Sequence, residues 1–379
     1  MDSRRLLRYQ YQPLTAPTQI RILRLYARSL RPADDESPML RCDIFHTDLE
    51  DEPIYKAISY AWGDMNTQTH TTIQLGTSWC MEISDTLHTA LSQFQPSNED
   101  EYIDLWADQI CIDQRFNDEK SHQVGMMGRI YEMAECVLIW LGDSEPDIAA
   151  AFAMIDQVHF TGRMSCFEAD SRTAMIDSVQ SHGLLVELTA GGHAQLHAGL
   201  DGARALLAKP WFLRLWALQE IVVSRAHLFC CGAHRCQLRD LRALVTLLDL
   251  KLGYRVKCPV EMIWRQYTRY HDGRRYFLHE QLHSLSRYAY QTSEPHDRVY
   301  AVLALQPPVR VSGHCDIPVD YNMPLEALLT KTTLCVINNT SLSILEGREP
   351  MDSDDLPSWV PTWRRPRREN LKNRKSLNA

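Results

Sequence analysis

The sequence predicts an α/β layer fold with a mainly parallel sheet flanked by helices. Three observations carry this. Short apolar runs, "YKAISY" (55–60), "EYIDLWAD" (101–108), "CVLIWLG" (136–142) and "AHLFCCG" (226–232), alternate with helical stretches, the pattern of strand–helix–strand units. "CVLIWLG" is apolar throughout, as in a strand covered on both faces. Between these runs, Val124, Met127, Tyr131 and Ala134 recur at helical spacing.

Taken in order, residues 1–18 read as a polar lead. "IRILRLY" (20–26) and "MLRCDIFH" (39–46) read as strands around the loop "RPADDESP". "TTIQLGTSWCMEIS" reads as a hairpin turning at Gly76. Ser84 is the expected N-cap of the helix "SDTLHTALSQF". A long helix spans about Asp118 to Ala134, with Asn117 as the expected cap and Asp118 and Glu119 suiting its first turn. Residues 143–205 are less regular and read as a helical insertion. "PWFLRLWALQEIVVS" (210–224) predicts one helix, with Pro210 near its start. Beyond Cys236 the pattern is mainly helical. The division expected is therefore a lead (1–18), an α/β domain (19–236, insertion about 143–205), a helical extension (237–363) and a basic tail (364–379).

The chain has 379 residues and a net charge of −8. From Pro361 onward there are seven basic residues and one Glu, so the body is more acidic than the total suggests. "RRPRRENLKNRK" has the composition of a nuclear-targeting or nucleic-acid patch, but a solvated tail accounts for it as well. Apart from this tail, nucleic-acid binding is not expected. No apolar run is long enough for a signal peptide or a bilayer span. The eleven cysteines are scattered without a framework. A reducing compartment follows, the cytoplasm or alternatively the nucleus.

Chemistry-bearing residues gather at a few places. "YKAISYAWGD" ends a buried strand in Trp62, Gly63 and Asp64, groups able to stack on, approach and hydrogen-bond a ligand. The alternative is that Trp62 packs under the insertion while Gly63 and Asp64 turn the chain. Asp108 falls at the carboxyl end of its strand, where ligands of open α/β sheets gather, and Asp113 and Gln114 follow within one loop. Turn-making explains Asp113 equally well. Trp216 and Glu220 are four apart and share a helix face. An apolar setting for Glu220 suits a catalytic acid or a carboxylate facing developing positive charge. An ion pair with Arg214, Arg225 or Lys209 is the competing account. "CCGAHRC" (230–236) fits no standard zinc ligand set. Cys111 has no local group to activate its thiol.

Three motifs together, "YKAISYAWGD", "LWADQICIDQRFNDEKSHQVGMMGRIYEMAECVLIWLG" and "KPWFLRLWALQEIVVSRAHLFCCG", resemble the signature of the fungal heterokaryon-incompatibility (HET) domain in content, order and spacing. "EPHDRVYAVLAL", "VDYNMPLEAL" and "LPSWVPTWRRP" resemble the region that follows it. Gly125 and Gly128 depart from the pattern, each at a cost of about 1 kcal/mol relative to Ala in a helix interior. The resemblance implies a role in growth arrest or cell death after hyphal fusion between non-self partners. It also implies a distant likeness to the TIR, flavodoxin-like sheet. By that analogy Glu220 is the catalytic candidate of an NAD glycohydrolase, with Trp62, Gly63, Asp64, Asp108, Asp113, Gln114 and Trp216 around the ligand. NAD would then be substrate, and neither metal nor cofactor is implied. The alternatives are a non-catalytic signalling module acting through a protein partner or self-association, and a HET-like chain associated with a biosynthetic gene cluster.

One expectation is independent of fold: all eleven thiols are free. Alkylation of the unreduced protein after unfolding, read by mass spectrometry, should label them without revealing a linked peptide pair. Several defined disulfides would overturn the reducing-compartment assignment.

Overall fold

The computed structural model describes residues 6–363, apart from 29–38, 64–68, 168–171, 184–192, 343–355 and the positions 163, 182, 254–255, 257, 287, 289, 310, 340–341, 358 and 362. Asp64, the loop "RPADDESP" (31–38) and the basic tail at 364–379 lie outside the described residues.

Ten strands form one sheet: β1 Leu7–Arg8, β2 Gln19–Tyr26, β3 Arg41–Asp48, β4 Lys56–Tyr60, β5 His70–Leu75, β6 Trp79–Ser84, β7 Tyr102–Trp106, β8 Cys136–Trp140, β9 His227–Cys231 and β10 His234–Cys236. Their spatial order is β1-β6-β5-β3-β2-β7-β4-β8-β9-β10. The four apolar runs that suggested the fold form the contiguous block β7-β4-β8-β9, and every pairing within it is parallel. In chain order this block runs second, first, third, fourth, the flavodoxin-like arrangement. The remaining strands extend the sheet as a mixed wing, with β2 antiparallel to both β3 and β7. β5 and β6 form the expected hairpin, and Gly76 takes φ 59° in its turn, a value only glycine adopts freely.

Helices cover both faces of the block, which is why β8 at its centre is apolar throughout. Tyr60 and Trp140 are register partners and so share a face. There Phe94, from helix Asp85–Phe94, meets the Trp140 ring edge-on at 5.9 Å. On the opposite face Tyr131, from helix Asn117–Met133, meets Trp106 at 5.4 Å. The Ser84 hydroxyl caps helix 85–94 by accepting from Leu87 N. The Asn117 expectation is corrected: Phe116 occupies the cap position, and the Asn117 amide donates instead to Asn322 at 3.1 Å. Residues 143–205 carry helices Pro146–Phe160, Arg172–Ser181 and His193–Leu207. Gly202 lets two of these helices touch, because a Cβ there would overlap the Asp147 carbonyl. The C-terminal region is mainly helical, with Leu238–Leu252, Val260–His271, Leu278–Ser286, Asp297–Tyr300 and Leu325–Asn339. No helix among the described residues is long and apolar enough to cross a membrane.

The single helix expected over 211–224 is broken. A 3-10 turn covers Pro210–Leu213, Arg214 is extended at φ −73° and ψ 129°, and an α-helix resumes at Trp216–Val222. The break is held from outside. Gln291 N donates to Leu213 O at 2.6 Å, and Leu215 N donates to Gln291 O at 3.1 Å. Two such bonds satisfy groups that a continuous helix would have paired internally.

Gly128 has a packing reason that helix propensity does not show. A Cβ there would overlap the Ala304 side chain, which belongs to the 3-10 turn Leu303–Leu305 of the C-terminal region. Propensity alone makes Gly128→Ala stabilising by about 1 kcal/mol. The overlap should reverse the sign, to a loss of about 1–3 kcal/mol. Urea unfolding of the full chain checks this, and a raised midpoint would refute the close contact.

Candidate functional site

The carboxyl ends of the block's strands carry a buried polar cluster built around Arg214. Its guanidinium lies 3.4 Å from Glu220 and 4.0 Å from Asp108. Glu220 is wholly buried. Besides Arg214, its carboxylate accepts from the Ser59 hydroxyl on β4, and that hydroxyl accepts from the Trp211 indole N–H at 2.7 Å. Asp108 begins the short helix Asp108–Cys111 after β7. It accepts from the Trp62 indole at 3.0 Å and from Gln109 N at 2.8 Å. Gly63 follows Trp62 at φ 88°, exposed.

The charge balance is uneven, with one cation facing two carboxylates in a dry setting. Burial raises both the Glu220 and the Asp108 carboxyls above their ordinary values, and the Arg214 charge opposes this without cancelling it. Tyr131, whose hydroxyl donates to Ile58 O at 3.1 Å, is also pushed well up, by burial and then by Glu220. Arg214 and Asp108 keep a sliver of exposure, 16% and 11% of their side chains, whereas Glu220 keeps 0%. Arg214 thus lies between Glu220 and the outside.

The sequence-predicted residues divide between three places. Trp62, Asp108 and Glu220 come together here, and Gln114 joins them through a 3.0 Å bond to the Asp108 carbonyl. Trp216 turns away from Glu220. Its indole pairs with the buried carboxylate of Asp297, which also accepts from the Tyr321 hydroxyl at 2.7 Å. Lys120 stacks over the Tyr321 ring at 4.2 Å and pairs with Glu294 at 3.3 Å. Asp113 pairs with Arg115 at 3.0 Å and faces a separate cavity. The Cys111 thiol is buried, which pushes it up to about 12 and leaves it unreactive.

Sequence reasoning missed Asp297 and Tyr321 as partners of this region, although both lie in the quoted motifs "EPHDRVYAVLAL" and "VDYNMPLEAL". It also missed Arg21. That side chain is wholly buried in β2 and forms a bidentate pair with Glu119 at 2.6 and 2.9 Å. Its strand, QIRILRLY, also carries Arg24, so the arginine by itself gave no signal.

The cluster's residues from Ser59 to Glu220 fall inside one recognisable segment. Residues 55–220 match the model of the family described as Heterokaryon incompatibility protein (HET). This segment is similar to the HET domain. Over 421 aligned residues the chain is 26% identical to heterokaryon incompatibility protein 6, OR allele, of Neurospora crassa, and the match covers 94% of this chain. The chain spans 60% of the length of that relative. No solved structure matches the chain. The HET match excludes Arg21, Asp297 and Tyr321, so groups that complete the domain's buried polar contacts come from both sides of it.

Arg214→Met should strand two buried carboxylates and cost about 3–5 kcal/mol at neutral pH. Glu220→Gln leaves Arg214 paired with Asp108 and should cost distinctly less. The pH sign follows from the raised carboxyls. A folded-state value above the unfolded one makes the contribution fullest below the unfolded pKa, and it is lost as pH rises through the folded value. Without Arg214 the carboxyls rise further, so the Arg214→Met penalty should be larger near pH 8 than near pH 5. Denaturant unfolding at the two values checks this. Equal penalties would show that the carboxylates are not desolvated around the guanidinium.

Proposed function

We propose that this chain acts in heterokaryon incompatibility, as a non-catalytic signalling module that restrains growth or promotes cell death when non-self partners fuse. The HET match and the Neurospora relative support the biological setting. One observation supports the non-catalytic form. The Glu220 carboxylate, the best placed acid of the domain, is fully buried and already satisfied by Ser59 and Arg214. A carboxylate so engaged fixes the geometry of the strand ends and presents nothing to a substrate. Signalling then works through a protein partner or through self-association.

A second reading has its own support. Asp108, Arg214 and Glu220 stand at the carboxyl ends of a flavodoxin-ordered block, and Ser59 lies beside the switch point between β4 and β8, where ligands of such sheets bind. NAD cleavage would break the nicotinamide–ribose bond through an oxocarbenium-like transition state, which a positioned carboxylate stabilises. Arg214 would have to move aside for Glu220 to serve in this way.

Incubation of concentrated full-length protein with NAD separates the readings, alongside Glu220→Gln and toxicity on overproduction in a fungal host. The signalling module predicts no NAD loss from either protein, with toxicity retained in a folded Glu220→Gln variant. NAD loss that disappears in the folded variant, together with toxicity, would replace the proposal with the enzymatic reading.

A further inference from the structure

Asp113 and Glu119 belong to the second motif yet lie apart from the Arg214 cluster. Both face a cavity of about 450 Å³. One wall is the N-terminal segment 11–17. The other is the loop from Asp113 to Phe116 with the first turns of helix Asn117–Met133.

The cavity is held open by bonds that no ligand supplies. The Arg21 guanidinium donates to Gln12 O at 2.7 Å, to Cys111 O at 3.1 Å and to both Glu119 oxygens. One buried group therefore fixes the N-terminal segment, the loop and the helix together. The turn across Pro13 to Pro17 is closed by Thr15 N donating to the Gln19 side chain at 2.7 Å and Gln19 N donating to Ala16 O at 3.1 Å. Walls fixed in advance lower the ordering cost of binding.

The lining has a definite chemistry. Tyr11 and Phe116 contribute aromatic rings, and Phe116 is 57% exposed although it is a large apolar side chain. Asp113 and Glu119 contribute acceptors. Burial works against the Asp113 charge, but the Arg115 hydrogen bonds outweigh it and hold the carboxyl below its usual range. Arg115 also shows what this surface attracts. Its guanidinium bonds both Asp113 oxygens, at 3.0 and 3.3 Å, and lies 5.8 Å over the Tyr11 ring. Its side chain is nevertheless 59% exposed, so it rests at the rim rather than filling the cavity. The size is in the range of small-molecule sites, where mostly apolar walls carry a few convergent polar groups.

We propose that this cavity binds an organic cation with a compact apolar body. The ammonium or guanidinium group sits against Asp113 in exchange for Arg115, and the body lies between Tyr11 and Phe116, where ring faces favour a cation. The assignment does not depend on the functional reading above, because none of these groups belongs to the Arg214 cluster.

Calorimetric titration of the full chain with benzylamine, benzyl alcohol and benzoate tests it. Benzylamine should bind, benzyl alcohol about tenfold more weakly, and benzoate weakest, as expected for loss and then reversal of a charge-assisted contact. Asp113→Asn should weaken benzylamine binding by about tenfold. Phe116→Ala, at an exposed position, should weaken it without affecting the fold. Arg115→Ala, which removes the internal competitor, should strengthen it. The proposal is overturned if none of the three probes binds, if benzoate binds as well as benzylamine, or if Arg115→Ala weakens binding. Benzylamine binding that is unchanged in Phe116→Ala also overturns it, and this variant decides the matter should Asp113→Asn fail to fold.

Discussion

A single guanidinium organises the carboxyl end of the parallel block. Arg214 faces Asp108, which follows β7, and Glu220, which precedes β9, while Ser59 on β4 donates to Glu220. The ends of β7 and β4 and the helix Trp216–Val222 are thus tied to one charge. Taking such ions out of water costs several kcal/mol each, and their mutual attraction recovers that cost only when the remaining hydrogen-bond sites are filled. Here the Ser59 hydroxyl, the Trp62 indole and the Gln109 amide fill them. The cluster therefore fixes where these strands end relative to one another, and contributes less to net stability than its number of contacts implies.

The same device recurs wherever distant segments meet. Arg21 ties the N-terminal segment to Glu119. Arg242, wholly buried, pairs with Glu261 at 3.0 Å, donates to Phe167 O at 2.9 Å and lies 4.5 Å over Trp264. Asp297 and Tyr321 reach back to Trp216 and Lys120. Guanidinium suits this task, since its planar fork serves several acceptors at once. All three of these devices include a contact that crosses the limits of the HET match. Its boundaries at 55 and 220 are therefore boundaries of sequence similarity, not of the folded unit.

Features set by neighbours in sequence were legible in advance. The four apolar runs, the Gly76 hairpin and the Ser84 cap rest on local patterns, and the structure has all of them. The failures share one cause. Arg21 was passed over, because nothing nearby in sequence announces Glu119 as its partner. Glu220 had three candidate cations within reach of inspection. Only the fold selects Arg214, while Lys209 goes to Glu145 at 3.4 Å. Trp216 was grouped with Glu220 by spacing and Asp113 by the resemblance, and packing separates both, Trp216 toward Asp297 and Asp113 toward Arg115.

The broken helix before β9 shows how far this nonlocal control extends. In a continuous α-helix, residues 214 and 220 are six positions apart and point about 120° away from each other, since each residue turns the axis by about 100°. The Arg214–Glu220 pair therefore requires the break at Arg214. That break is made by Gln291, whose backbone takes up the bonds that Leu213 and Leu215 offer. Gln291 belongs to the C-terminal region, beyond the HET match. A sealed Glu220 and an accessible one differ chiefly in where Arg214 is placed. The placement of Arg214 is set in turn by a backbone bridge from a segment that the domain's own motifs do not contain. The motif that makes Glu220 look catalytic thus lacks the residue that decides whether its carboxylate is reachable.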